Sequence, residues 1–83
     1  MNAVTLYTSD HCPYCHNAKA LLARKGVETT EYNVANDPDR LREMLSRSGR
    51  RTVPQIFIGE HHVGGFDDLA ALERNGELDA LLH

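Results

Sequence analysis

The sequence predicts an α/β domain, a four-stranded mixed sheet with helices on both faces, in the order β-α-β-α-β-β-α. Three observations lead there. Short runs of β-branched and aromatic residues alternate with longer stretches whose apolar residues recur at helical spacing. The first two strand-like runs flank a helix, whereas the last two are separated only by Gly59-Glu60, a two-residue hairpin turn. With 83 residues and no internal repeat, a single domain spanning 1–83 with one modest core is expected.

Taken in order, Val4 to Thr8 reads as the first strand. Ser9-Asp10-His11 is a polar turn, and the first helix follows with Pro13 at its first helical position, where a missing N–H costs nothing. Cys15, Ala18, Leu21 and Leu22 share its inward stripe, and Gly26 is its stop. Val27 to Val34 is the second strand, with Glu28, Thr30, Tyr32 and Val34 on one face. Asn36-Asp37-Pro38 is a helix start, Leu41, Met44 and Leu45 form that helix's stripe, and Gly49 ends it. A loop from Arg50 to Pro54 leads into the third strand, Gln55 to Ile58, and His61-His62-Val63 returns as the fourth. Gly64-Gly65 breaks that strand, Phe66-Asp67-Asp68 opens a third helix carrying Leu69 and Leu72, and Gly76 separates it from a last turn ending in Leu81-Leu82.

Composition excludes several functions. Hydrophobic residues make up 41% of the chain, too many for disorder, and a net charge of −3 argues against a general nucleic-acid binder. No stretch approaches the roughly 20 apolar residues of a membrane span. The start, Met1-Asn2-Ala3-Val4-Thr5, lacks the basic region and apolar core of a secretory signal. A cytoplasmic monomer is therefore expected. In a reducing compartment two cysteines point to redox or metal chemistry rather than a staple.

The chemistry centres on Cys12-Pro13-Tyr14-Cys15, where a strand hands over to a helix. If Pro13 opens the helix, Cys12 is its N-cap, and its sulfur can accept hydrogen bonds from the unpaired N–H groups of Tyr14 and Cys15. The helix dipole adds about half a positive charge there. Both favour the thiolate, the reactive form. Cys15, one turn on, begins the buried stripe. Cys12 thus reads as nucleophile and Cys15 as resolving thiol. Structural zinc needs four ligands as a rule. His11, His16, His61 and His62 would have to complete the pair, but their spacing is wrong and each reads more simply as a solvated surface residue.

Three separated motifs, Cys12-Pro13-Tyr14-Cys15, Thr52-Val53-Pro54 and Gly64-Gly65-Phe66-Asp67-Asp68, make the chain resemble the glutaredoxins, specifically the small bacterial glutaredoxin 3 type with two active-site thiols. The resemblance implies a thioredoxin-like fold and reduction of protein–glutathione mixed disulfides and protein disulfides. Glutathione is then the reductant, with no permanently bound cofactor. It also implies a cis Pro54 beside the dithiol, with Val53 offering its backbone to substrate. Glutathione contacts would come from Tyr14, Thr52, Val53, Pro54, Gly65, Phe66 and Asp67, with Asp68 supporting the helix dipole. Ser9 stands where the family commonly has a lysine, and Asp10 opposes the anion, so Arg51, or failing that Lys19, is expected to supply the missing cation. Three other roles compete: a redoxin served by thioredoxin reductase and donating to ribonucleotide reductase, a cluster-binding protein with Cys12 and glutathione as ligands, and an adaptor with an incidental dithiol.

Overall fold

The computed structural model describes residues 2–83. Its elements run β1 (Val4–Thr8), α1 (Pro13–Arg24), β2 (Thr29–Asn33), α2 (Pro38–Ser48), β3 (Gln55–Ile58), β4 (His61–Gly64), α3 (Phe66–Arg74) and α4 (Leu78–Leu82). The strands form one sheet in the order β2-β1-β3-β4. β1 runs parallel to β2 and antiparallel to β3, and the hairpin pairs β3 with β4 antiparallel. This is the expected mixed sheet.

Alternation along the two central strands decides which helix lies where. Val4, Leu6, Ile56 and Ile58 point to one face, where Ala18, Leu21 and Leu22 of α1, Leu69 of α3 and Leu78 and Leu82 of α4 close over them. Tyr7 and Phe57 point to the other, where α2 covers them with Met44 and Leu41. Tyr32 and Val34 join this second cluster, as their predicted shared face requires.

Two elements differ from expectation. The second strand is shorter than Val27–Val34, because its ladder with β1 spans only Thr29 to Asn33. Val27 and Val34 are buried at its ends without being part of it. The segment after Gly76 is a separate helix rather than a last turn. Leu78 and Leu82, four residues apart, are both fully buried and anchor α4 to the core.

Capping explains the helix starts. The Asp37 carboxylate accepts the Arg40 N–H at 3.1 Å ahead of Pro38. At α3 the N-cap is Gly65, and the Asp68 carboxylate reaches back to accept the Gly65 N–H at 3.0 Å. Gly64, just before it, has φ 117°, and a Cβ there would lie 2.3 Å from an Asp68 carboxylate oxygen. Only glycine fits.

Candidate active site

Cys12 is the N-cap of α1, with Pro13 at the start of the helix. Its sulfur accepts a hydrogen bond from the Cys15 N–H at 3.1 Å. The Tyr14 N–H, also expected to donate, makes no hydrogen bond to it. Cys12 is half-buried, whereas Cys15 is 2% exposed at the head of the core stripe. The two are joined in a disulfide with their Cα atoms 5.2 Å apart. They differ in access as the helical geometry requires.

The turn before Cys12 is tied to the sheet edge. Asn33 donates to the Asp10 carboxylate at 2.8 Å and accepts the Ala35 N–H at 2.9 Å. His11, directly ahead of Cys12, has φ 55°, in the left-handed region that histidine enters more readily than most side chains.

A groove of about 180 Å³ opens beside the dithiol, lined in part by Tyr14, Thr52, Val53, Pro54, Gly65 and Phe66, with Asp67 and Asp68 at one side. The Cys12 sulfur lies 4.0 Å from the Val53 carbonyl oxygen. The Val53–Pro54 peptide bond is cis. Tyr14, 60% exposed, stacks on Phe66 with ring centroids 6.3 Å apart, so the two rings form one apolar wall. At the other side, the N–H groups of Phe66, Asp67 and Asp68 head α3, and the first helical bond is Leu69 N–H to the Gly65 carbonyl. The fold thus gathers residues from three distant segments around one groove.

Arg51 is not among the residues lining it; Arg50 is. The Ser48 hydroxyl accepts the Arg50 N–H at 3.0 Å while donating its one hydrogen to the Met44 carbonyl at 2.6 Å. The Arg50 guanidinium lies 3.6 Å from the Asp68 carboxylate, so Asp68 combines a cap with an ion pair. Lys19 is engaged with Glu31 at 3.3 Å. Gln55 also lines the groove, fully buried beneath it, and spacing gave no signal for this because the residue sits inside an otherwise apolar strand. Its partner His62 is held below the usual imidazole range by burial and then by the Arg50 charge, opposed by Asp68. Among the described residues no group of three or more His, Cys, Asp or Glu side chains is placed to hold a metal ion.

Comparison with known proteins identifies the arrangement. The family model described as Glutaredoxin matches residues 4–63. Glutaredoxin 3 of Escherichia coli K12 is 54% identical over 82 residues, covering 99% of both chains. The solution structure of a Brucella melitensis glutaredoxin superposes with a TM-score of 0.85 at 58% identity, over 99% of this chain and 89% of that one. A crystal structure of a buckwheat glutaredoxin–glutathione complex superposes with a TM-score of 0.87 at 30% identity, over 98% and 76%. With its thioredoxin-like sheet and the Cys12–Cys15 pair in the active site, this chain belongs to the glutaredoxin family of thiol–disulfide oxidoreductases.

Proposed function

We propose that the chain reduces protein–glutathione mixed disulfides and protein disulfides with glutathione as electron donor, Cys12 acting as nucleophile and Cys15 as resolving thiol. The observation that carries this is the inequality of the two sulfurs: Cys12 caps α1, is half-buried and lies 4.0 Å from the carbonyl oxygen of the groove residue Val53, whereas Cys15 is buried. The glutathione complex of the buckwheat relative supports the choice of donor.

In the reduced enzyme the Cys12 thiolate is held by the Cys15 N–H and the positive end of α1. It attacks the glutathione sulfur of a mixed disulfide. A Cys12–glutathione disulfide forms, and the substrate leaves as a thiolate that takes up a proton. A second glutathione thiolate attacks the bound glutathione sulfur, releasing oxidised glutathione and the Cys12 thiolate. With a protein disulfide, the Cys12 thiolate attacks one sulfur, breaking the S–S bond and releasing the other as a thiolate, and the Cys15 thiolate then attacks the Cys12 sulfur and releases the second substrate thiolate. That leaves the Cys12–Cys15 disulfide, which two glutathiones reduce.

The groove suits the tripeptide. Val53 presents backbone groups beside Cys12, as an edge strand would. The free N–H groups at the start of α3 receive the γ-glutamyl carboxylate. Asp67 pairs with its ammonium, and Tyr14, Pro54 and Phe66 flank the ligand with apolar surface. Arg50, not Arg51, supplies the cation on this side. The proposed substrates are glutathionylated or disulfide-bearing proteins, ribonucleotide reductase among them, and the proposed setting is the cytoplasm, with the protein acting as a monomer.

The test is turnover of the mixed disulfide between glutathione and 2-mercaptoethanol, coupled to glutathione reductase. Cys12→Ser should abolish it, while Cys15→Ser should retain it and lose only the reduction of protein disulfides. Equal loss in the two variants would refute the assignment of roles.

A further inference from the structure

Behind the groove lies a polar chain in an otherwise apolar strand. Gln55 is fully buried, with 0% exposure. Its Nε2 donates to the Thr52 carbonyl at 2.9 Å and to the Thr52 hydroxyl oxygen at 3.1 Å. Because the amide nitrogen faces Thr52, the amide oxygen faces away, and His62 Nε2 meets it at 2.7 Å. An amide oxygen only accepts, so His62 Nε2 carries the hydrogen. The imidazole is itself held flat, stacked on Phe57 with centroids 4.8 Å apart.

This fixes a direction. Each bond runs from donor to acceptor, from His62 to Gln55 to Thr52. The Thr52 hydroxyl oxygen receives a hydrogen from within the fold, so its own hydrogen is left to be donated outward. Thr52 is exposed and lines the groove. Hydrogen bonds in such a chain polarise one another, and its middle member, Gln55, is buried with both ends of its amide paired, which favours one geometry.

We infer that Gln55 and His62 are positioning residues: they lock the backbone of Thr52 ahead of the cis Val53–Pro54 bond and orient the Thr52 hydroxyl as a donor to a carboxylate of the ligand in the groove. The inference rests on the groove being the glutathione site. It assigns a task to two residues that touch neither the reacting sulfurs nor, in the case of His62, the groove. It also explains why a strand reading Gln-Ile-Phe-Ile begins with a buried amide, which without partners would be costly to bury.

The test uses the full chain and the mixed disulfide of glutathione and 2-mercaptoethanol. Gln55→Met keeps the length of the side chain and removes both bonds to Thr52. Its KM for the mixed disulfide should rise about tenfold, equivalent to ~1.4 kcal/mol, with kcat within about twofold of the parent. Alkylation of reduced Cys12 by iodoacetamide, which does not need the groove, should keep its rate and its pH profile. His62→Phe preserves the stack on Phe57 and removes only the donor. It should raise KM in the same sense by a smaller factor, and the double variant should be no worse than Gln55→Met. Unchanged KM in the folded variants overturns the inference, as does a parallel fall in kcat and alkylation rate, which would mean a general loss of structure. If Gln55→Met does not fold, His62→Phe is judged on the same criteria. Absence of mixed-disulfide turnover in the parent chain would instead remove the glutathione reading beneath it.

Discussion

Arg50 and Arg51 are chemically identical neighbours that differ only in the direction in which the backbone aims them. Arg50 faces Asp68 and the groove, and its charge reaches His62 strongly enough to help depress that imidazole's affinity for protons. Arg50→Ala should therefore raise KM for the glutathione mixed disulfide by about two- to fivefold, the range of an exposed ion pair. Arg51→Ala should leave it unchanged. Steady-state kinetics of the two variants side by side check this, and an effect at Arg51 alone would reverse the assignment. The dithiol could be read from sequence because it depends on local chemistry, a sulfur at a helix cap, whereas the site roles of the Val-Pro pair and of the paired glycines came only with the family resemblance. The choice between two adjacent arginines could not be read, since it turns on how the loop after α2 is held, where the Ser48 hydroxyl accepts the Arg50 N–H, and on Asp68 lying within reach of Arg50. Gln55 was hidden for a related reason. Its partners Thr52 and His62 come together only once the β3–β4 hairpin forms.

Among the elements, α2 is held differently from the others. It meets the sheet through one small cluster, with Met44 at 0% exposure against Tyr7 and Phe57. Around that cluster Arg40 lies 3.7 Å from the Tyr32 ring centre and Arg47 4.0 Å from that of Phe57. Arg47 donates to the Tyr7 hydroxyl at 2.9 Å, and that hydroxyl donates to Glu43. Met44→Ala should destabilise the fold by about 2–5 kcal/mol through the cavity it leaves, and Tm should fall by roughly 10 °C or more. Calorimetry measures the loss. Hydrogen exchange should find the amides of α2 exposed before those of α1, because α2 buries one residue, Met44, where α1 buries four. Periodicity located α2 and its stripe well. It overextended β2 because Val27 and Val34 are apolar and buried yet lie outside the ladder that pairs Thr29 to Asn33 with β1. It missed α4 because five residues are too few to display a period.

For the whole molecule, three groups bind protons more weakly folded than unfolded. Glu31 is held below its ordinary 4.5 chiefly by the Thr8 hydroxyl and then by Lys19. Glu43 is held below the same value chiefly by the Tyr7 hydroxyl and then by Arg40. His62 is held below 6.5 by burial first. In each case the unfolded chain takes up the extra proton, so the stability these groups contribute is present above their unfolded values and is lost as pH falls through the folded ones. Denaturant midpoints should therefore decline on acidification below about pH 6.5, and more steeply below about pH 4.5. His62→Phe should remove the first part of that decline and spare the second. Tyr7 is shifted upward by burial first and the Glu43 hydrogen bond next, so its contribution is present below 10 and lost as pH rises above it. One earlier feature links these scales. The Cys12 sulfur caps α1, and a thiolate accepts the capping hydrogen bond more strongly than a disulfide sulfur does. Forming α1 and accepting electrons at Cys12 are therefore coupled equilibria. Whatever tightens the first turn of that helix favours the dithiol over the disulfide and makes the protein a stronger oxidant, and whatever frays it makes the protein a stronger reductant.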